Sequence, residues 1–576
     1  MDNDNVKGIE LKWARYINPN FSNGNDVHLV KELIFFKDGT PPEKRFRIIR
    51  DFKRPFYMTK PAYRNHKQFK ETESINKVDV HFSTQTDLGN SIGRAVGVPG
   101  YRRNSVRDFR KNVYLYGLGI PSEAYLKDIY LDKYGLLTPY EVASLDIEAD
   151  VDTKEIYINT VATDKKMHVG INKNLLLGIH NAKERILKMI PELLPDTTVY
   201  DGLEEVIIDI VDEKEAISNP IKSLHNWSPD FLSIWNARYD IPTINERLES
   251  FGIFPEDVWT DPDIKNQISF FNFKKGSDHT TSEGGVFKAK TPAQRFDVIQ
   301  SASSFYIIDA MQVYYQLRIS SGELPGGYGL DNVLQKNLKL KKLKIEDEKA
   351  EMLFGADWHR YMVKYHPLEY IVYNIWDVLS MVSLENKTKD LSVSVPLFSN
   401  IMPFSTFHRG PLRLSGTFYQ YAKSKGRVLG NANPDHGKTP ETRELLGRRG
   451  FTLTLKSHNR LGSVVQDERL TGSGNDYITN HSELDNGIRT VVADLDAVSA
   501  YPSATMAVNL SRDNIRKEFV DLVGFDREYS KFENMNLVMG GRSSVLRYMK
   551  NIFNAPNISY YLKTYNEMKQ KDNYVI

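Results

Sequence analysis

From residue 141 to about residue 389 the chain alternates short β-rich runs with amphipathic helical stretches, and that alternation restricts this part to an α/β architecture. Apolar periodicity predicts helices over 182–194 and 241–251, and a long helix after Pro367. The polar, Gly-containing stretch from Lys274 to Ala293 reads as a hairpin or loop insertion. Residues 1–140 read as mixed strands and loops, with turn residues at Lys53-Arg54-Pro55 and Gly97-Val98-Pro99-Gly100. A second Gly/Asn-rich stretch, 430–486, marks the approach to a further domain. At 576 residues the chain exceeds one ordinary core, so roughly two to four domains are expected.

Composition removes several classes of chemistry. There are no cysteines, which excludes disulfides, thiolate zinc sites and cysteine nucleophiles. A metal would have to sit on carboxylates, histidines or carbonyls, a donor set that favours hard ions such as Mg²⁺ or Mn²⁺. No apolar run is long enough to span a bilayer, and Met1-Asp2-Asn3-Asp4-Asn5 lacks a signal-peptide pattern, so the expected location is cytoplasmic, with no membrane partner. The net charge of +2 neither requires nor forbids nucleic acid. One local patch (Tyr101, Arg102, Arg103, Arg107, Phe109, Arg110, Lys111, Tyr114 and Tyr116) interleaves cations with aromatics. It suits phosphate contacts and base stacking, and equally a solvated helix face beside a core strand.

Within the α/β part, Val142 to Ala149 reads as a strand with Leu145, Ile147 and Ala149 on one face and Asp146 and Glu148 on the other. Two acids on one strand face are costly unless a cation lies between them, although Asp526-Arg527-Glu528 has the same spacing and carries no assigned role. Next, Leu232 to Trp235 is a short strand followed by a helix starting near Asp240, with Pro242 in its first turn. Asp240 therefore stands at a strand-to-helix junction, a position that suits either a ligand or a structural N-cap. Last, Tyr373 and Asp377 share one face of the helix after Pro367, while Ile371, Ile375, Val378 and Val382 form its packing stripe.

Asp-x-Glu on a strand, Trp-Asn-x-x-x-Asp at a strand-helix junction and Tyr-x-x-x-Asp on a late helix occur here in order. Together they resemble the three exonuclease motifs of the DnaQ-like (RNase H-like) proofreading fold, as carried by family B DNA polymerases. Phe305 to Met311, with Asp309, and Tyr328-Gly329-Leu330-Asp331 resemble intermediate segments of the same family. The resemblance implies that Asp146, Glu148, Asp240 and Asp377 hold two divalent ions, Mg²⁺ or Mn²⁺, and that Tyr373 positions the attacking water. The substrate would be a single-stranded DNA 3′ end and the product a deoxynucleoside monophosphate. Two ions about 3.5–4 Å apart would clamp the scissile phosphate.

Near the C-terminus, Val491 to Ser503 resembles motif A of the family B palm, with Asp496 as the metal ligand and Tyr501 as the steric gate under the sugar. The resemblance places backbone groups of Val498, Ser499 and Ala500 against the triphosphate of a dNTP. Asp494 shares the strand face of Asp496, and Asn509 and Ser511 resemble residues that follow the motif. Ala500 stands where the family usually has Leu. Ile576 follows Asp496 by 80 residues, with neither a fingers helix nor the second palm carboxylate between them.

The implied fold class is α/β and α+β, multidomain. Residues 1–140 form a mixed β N-terminal domain and 141–389 the exonuclease domain. Residues 390–467 return to the N-terminal domain, 468–552 form an incomplete palm, and 553–576 begin the fingers or a partner-docking helix carrying Tyr561, Tyr565 and Met568. The resemblance is strongest to the N-terminal part of T-even-like bacteriophage replicative polymerases. On that reading the partners are primer-template DNA, dNTP and a second polypeptide completing the polymerase, with any sliding clamp reached through that second chain. The location would be the host cytoplasm. A stand-alone exonuclease with a DNA-gripping palm remnant uses the same residues. A non-catalytic DNA-binding scaffold would have no need of four acids. The histidines, His366 and His408 included, show no ligand spacing and read as structural.

Overall fold

The computed structural model describes residues 5–431 except 22–25, 67–69, 99–104, 110–111, 282–286, 320–321, 323 and 344. Two compact units are distinguished: residues 1–60, 74–109 and 116–429, and residues 61–73, 110–115 and 430–576. In the second unit, Tyr114 Oη donates to the carbonyl of His66 (2.9 Å) and Asn431 Nδ2 to that of Leu115 (2.7 Å). The fold is mixed α/β with several sheets, of the multidomain α+β class.

The first unit begins with an antiparallel sheet of β1 (Val6–Ile17), β2 (Val27–Phe36) and β3 (Glu43–Arg50). Helix α1 (Ser122–Tyr134) covers part of it, packing Leu126 against Leu11 and Val30. Several charges of this sheet are buried and satisfied internally. Lys12 Nζ donates to the carbonyls of Thr138 (3.0 Å) and Pro139 (3.1 Å), while Glu10 accepts from the Thr138 amide (3.0 Å). Such pairing is what makes buried charge tolerable.

The larger sheet contains β4 (Val142–Ala149), β5 (Ile156–Ala162), β6 (Lys166–Asn172), β7 (Glu205–Val211), β8 (Phe231–Ile234) and β9 (Tyr306–Asp309). Their order is β7-β6-β5-β4-β8-β9. Strands β4, β5 and β6 pair antiparallel, whereas β4/β8, β8/β9 and β6/β7 pair parallel. Helices α2 (Ala182–Leu193), α3 (Glu213–Trp227), α4 (Ala237–Ser250), α5 (Ala310–Arg318), α6 (Leu330–Leu338), α7 (Ala356–Tyr365) and α8 (Pro367–Thr388) connect and follow the strands.

Two apolar clusters sandwich the sheet. Ile217, Ile221 and Leu224 of α3 and Ile241, Ile244 and Leu248 of α4 pack with Leu145, Ile147 and Leu232. Ile186 and Ile190 of α2, and Ile371, Ile375, Val378 and Val382 of α8, pack with Ile158, Val169, Ile171 and Ile208. The expected packing stripe of α8 is therefore buried as a set. Close approach of α3 depends on Gly170, where a Cβ would lie 2.2 Å from the Ala216 carbonyl oxygen. The insertion after β8 is a hairpin, with Phe271–Lys274 pairing Val298–Ser301 and His279–Thr281 pairing Phe287–Ala289.

Two expectations change. Helix α4 starts at Ala237, not near Asp240, which puts Asp240 inside the first turn and Pro242 in the second. The cause is tertiary: Asn236 turns the chain at φ 73°, and Asp309 Oδ2, from the end of β9, accepts from the Ala237 amide at 2.9 Å, capping the earlier start. In the mixed aromatic and basic patch, Phe109 and Tyr116 are buried, so neither ring is free to stack on bases. Arg102, Arg103, Arg110 and Lys111 lie outside the described residues. No helix among the described residues is long and apolar enough to cross a membrane.

Candidate metal centre

Strand β4 sits between β5 and β8, where the antiparallel and parallel parts of the sheet meet. Its apolar alternates are fixed in the α3/α4 core, which leaves Asp146 and Glu148 on the face toward α8. Helix α8 answers with Tyr370, Tyr373, Asn374 and Asp377, whose spacing of three, four and seven residues places them on one face. Asp146, Glu148 and Asp377 each contribute an oxygen to a group lying within 4.8 Å of one another. Three of the acids expected at the site are thus brought together from segments more than 220 positions apart.

Each carboxylate has one oxygen tied to a protein donor. Tyr370 Oη donates to Glu148 Oε2 at 2.7 Å, and Asn374 Nδ2 donates to Asp146 Oδ2 at 2.8 Å. Lys342 Nζ donates to Asp377 Oδ2 at 2.6 Å and to the Tyr373 hydroxyl at 2.9 Å. Asp377 Oδ1, in contrast, is buried with no hydrogen-bond partner. An unsatisfied buried carboxylate oxygen is expensive in a metal-free fold, and a cation on it removes that expense.

Lys342 is held by its own backbone. Its amide donates to Asp331 Oδ1 at 2.8 Å, and Trp376 Nε1 of α8 donates to the Lys341 carbonyl at 3.0 Å. The Asp of the Tyr-x-Leu-Asp turn thereby anchors the connector that delivers the lysine. From α7, the Trp358 ring packs on Tyr373 with centroids 4.9 Å apart. His359 Nδ1 lies 2.7 Å from the Tyr370 hydroxyl and 3.3 Å from Glu148 Oε2.

Electrostatics follow from this crowding. Burial, then the charges of Asp240, Asp377 and Glu148, push the Asp146 carboxyl well above its ordinary range. Burial and the charges of Glu148 and Asp309 do the same to Asp240. Burial also raises Asp377, against the opposing pull of Lys342. For Lys342 burial acts downward, but Asp377 and Tyr373 outweigh it and hold the ammonium well above its usual range. Asp309, buried at the end of β9 and accepting from the Gln312 and Ala237 amides, is pushed up to about 7 by burial.

Asp240 is not one of the three mutually close acids; it is buried in the first turn of α4 and joins them through its charge coupling to Asp146 and Glu148. Tyr373 adjoins the group through Lys342. Asp496, Val498, Ser499, Ala500 and Tyr501 lie outside the described residues, as do Asp494, Asn509, Ser511, Tyr561, Tyr565 and Met568. Sequence reasoning missed Lys342, Tyr370, Asn374 and His359. Tyr370 and Asn374 had a signal, since both fall on the helical face of Tyr373 and Asp377. Lys342 had none, standing in Lys339-Leu340-Lys341-Lys342-Leu343-Lys344 among equivalent neighbours. Of the histidines, His366 pairs with Asp347 at 3.1 Å, His408 stacks on Phe296, and His359 touches Glu148.

The donor set is all oxygen and strongly anionic, which fits hard divalent cations. Compared with models of protein families the chain matches none, and compared with curated proteins it finds no matching relative.

Proposed function

We propose that this centre binds Mg²⁺ or Mn²⁺ and removes nucleotides from single-stranded DNA 3′ ends, as the proofreading exonuclease of a family B DNA polymerase does. The observation that carries the reading is the convergence of Asp146, Glu148 and Asp377 within 4.8 Å, with Asp377 Oδ1 buried and unpartnered. It is supported by position, since Asp240 and Asp309 stand just after or at the carboxyl ends of the parallel strands β8 and β9, where sites of open α/β sheets form.

Asp146, Glu148 and Asp377 would hold one ion, and Asp240 is the fourth acid for a second. Bound there, divalent ions supply charge neutralisation at a scissile phosphodiester and activation of a water for attack. The chain's own groups supply orientation. Lys342 grips Asp377 through Oδ2 and opposes the burial that raises its carboxyl, which leaves Oδ1 to face the cation. The Tyr373 hydroxyl, tied to Lys342 and backed by Trp358, orients the attacking water from the edge of the cluster. The product is a deoxynucleoside monophosphate.

The DnaQ-like identity of the sheet domain and the family B assignment are part of this proposal. The polymerase half rests on the string Val491 to Ser503 alone. It makes Asp496 a ligand for nucleotidyl transfer, sets Val498 to Tyr501 against a dNTP, and assigns synthesis on primer-template DNA to this chain with a second polypeptide.

The test is end polarity. A single-stranded oligonucleotide labelled at its 5′ end should give a descending ladder in Mg²⁺ and none in EDTA. Internal cuts, or no shortening in Mg²⁺ and Mn²⁺ alike, would overturn the proposal.

A further inference from the structure

The geometry points to Tyr370 and Asn374 as positioning residues that aim the two strand carboxylates at the cation, an inference that rests on the metal-centre part of the reading above. Each of the three clustered acids is held by one oxygen: Glu148 Oε2 by the Tyr370 hydroxyl, Asp146 Oδ2 by the Asn374 amide, and Asp377 Oδ2 by Lys342. Among the described residues no protein group donates to Asp146 Oδ1, Glu148 Oε1 or Asp377 Oδ1. One oxygen of each carboxylate is thus tied down while the other has no protein donor.

Two of these donors come from the helix that also supplies the third ligand, one turn apart, and both side chains are fully buried. A buried donor of fixed position does two things for a metal-binding acid. It removes rotational freedom about the last side-chain torsion, and it offsets part of the repulsion among carboxylates before the ion arrives. Asn374 shows the directionality, because Nδ2 faces the carboxylate while its own Oδ1 is buried without a partner. The opposite amide orientation would set oxygen against oxygen. Tyr370 is further fixed by the His359 ring at 2.7 Å and by Trp358. Docking of α8 on β4 therefore delivers a ligand and sets the aim of two others in one packing event.

The experiment is Mn²⁺ binding to the full chain without nucleic acid, read as free Mn²⁺ by electron paramagnetic resonance and checked by calorimetry. Tyr370→Phe removes only a hydroxyl, and Asn374→Leu replaces the amide with an apolar group of similar shape. Each should weaken Mn²⁺ binding by about 10- to 100-fold, with thermal unfolding in EDTA close to wild type. Should Asn374→Leu fail to fold, Tyr370→Phe decides alone. Affinity within twofold of wild type for the folded variants, beside a clear loss in Asp146→Asn, would overturn the positioning role and leave the metal centre intact. Unchanged binding in Asp146→Asn would overturn the metal centre itself and this inference with it. Missing nuclease activity with the predicted Mn²⁺ losses would overturn only the reaction proposed above.

Discussion

Replacing Asp146 by Asn should change the sign of its effect on stability according to whether a divalent ion is bound. In the metal-free chain the oxygens of Asp146, Glu148 and Asp377 lie within 4.8 Å of one another. At an effective dielectric of about 20, two full charges that far apart repel by roughly 3 kcal/mol. Burial and these neighbouring charges raise the proton affinity of the Asp146 carboxyl. The substituted amide would remove one charge yet keep an acceptor for Asn374. In EDTA near pH 8 the variant should therefore be more stable than wild type by about 1–3 kcal/mol.

The pH dependence has a definite sign. The folded carboxyl binds its proton more tightly than the unfolded one, so wild-type stability falls as pH rises through the interval between the two. The variant should flatten that slope, and the two should converge toward acid pH. With Mn²⁺ at about 100 times its dissociation constant, wild type gains roughly 2.7 kcal/mol and the variant little or none. Urea unfolding followed by tryptophan fluorescence, in EDTA and in Mn²⁺, measures both increments. A variant less stable than wild type in EDTA, or one that keeps the full Mn²⁺ increment, would refute the reasoning.

Two further substitutions probe one support of the site and the packing of the sheet. Lys342→Met leaves Asp377 buried without its cation and should lower stability in EDTA by roughly 3 kcal/mol near pH 8. Urea midpoints equal to wild type would show that the pair contributes little. Gly170→Ala drives a methyl against the Ala216 carbonyl and should lower the thermal midpoint through a loss of about 1–3 kcal/mol. An unchanged midpoint would mean that α3 shifts without penalty.

Local pattern made part of this molecule legible. The alternation in Val142 to Ala149 separates Leu145 and Ile147 from Asp146 and Glu148 because an apolar core fills one side of the sheet. The helix after Pro367 and the hairpin within 271–301 follow equally local signals. The start of α4 did not, because its cap comes from Asp309, 72 positions away. Lys342 was hidden for the same reason: only the anchors at Asp331 and Trp376 distinguish it from the lysines around it. Phe109 and Tyr116 carried the composition of a stacking patch, but burial is a property of the folded chain and sequence composition does not report it.

The most direct test of the central claim compares the wild-type chain with the Asp146→Ala, Glu148→Ala double variant on a 5′-labelled single-stranded oligonucleotide in Mg²⁺. The account predicts stepwise shortening from the 3′ end by wild type. It predicts a rate lower by roughly 1000-fold or more in the double variant, about 4 kcal/mol of lost transition-state stabilisation. Shortening by the double variant at the wild-type rate would contradict the assignment of the site.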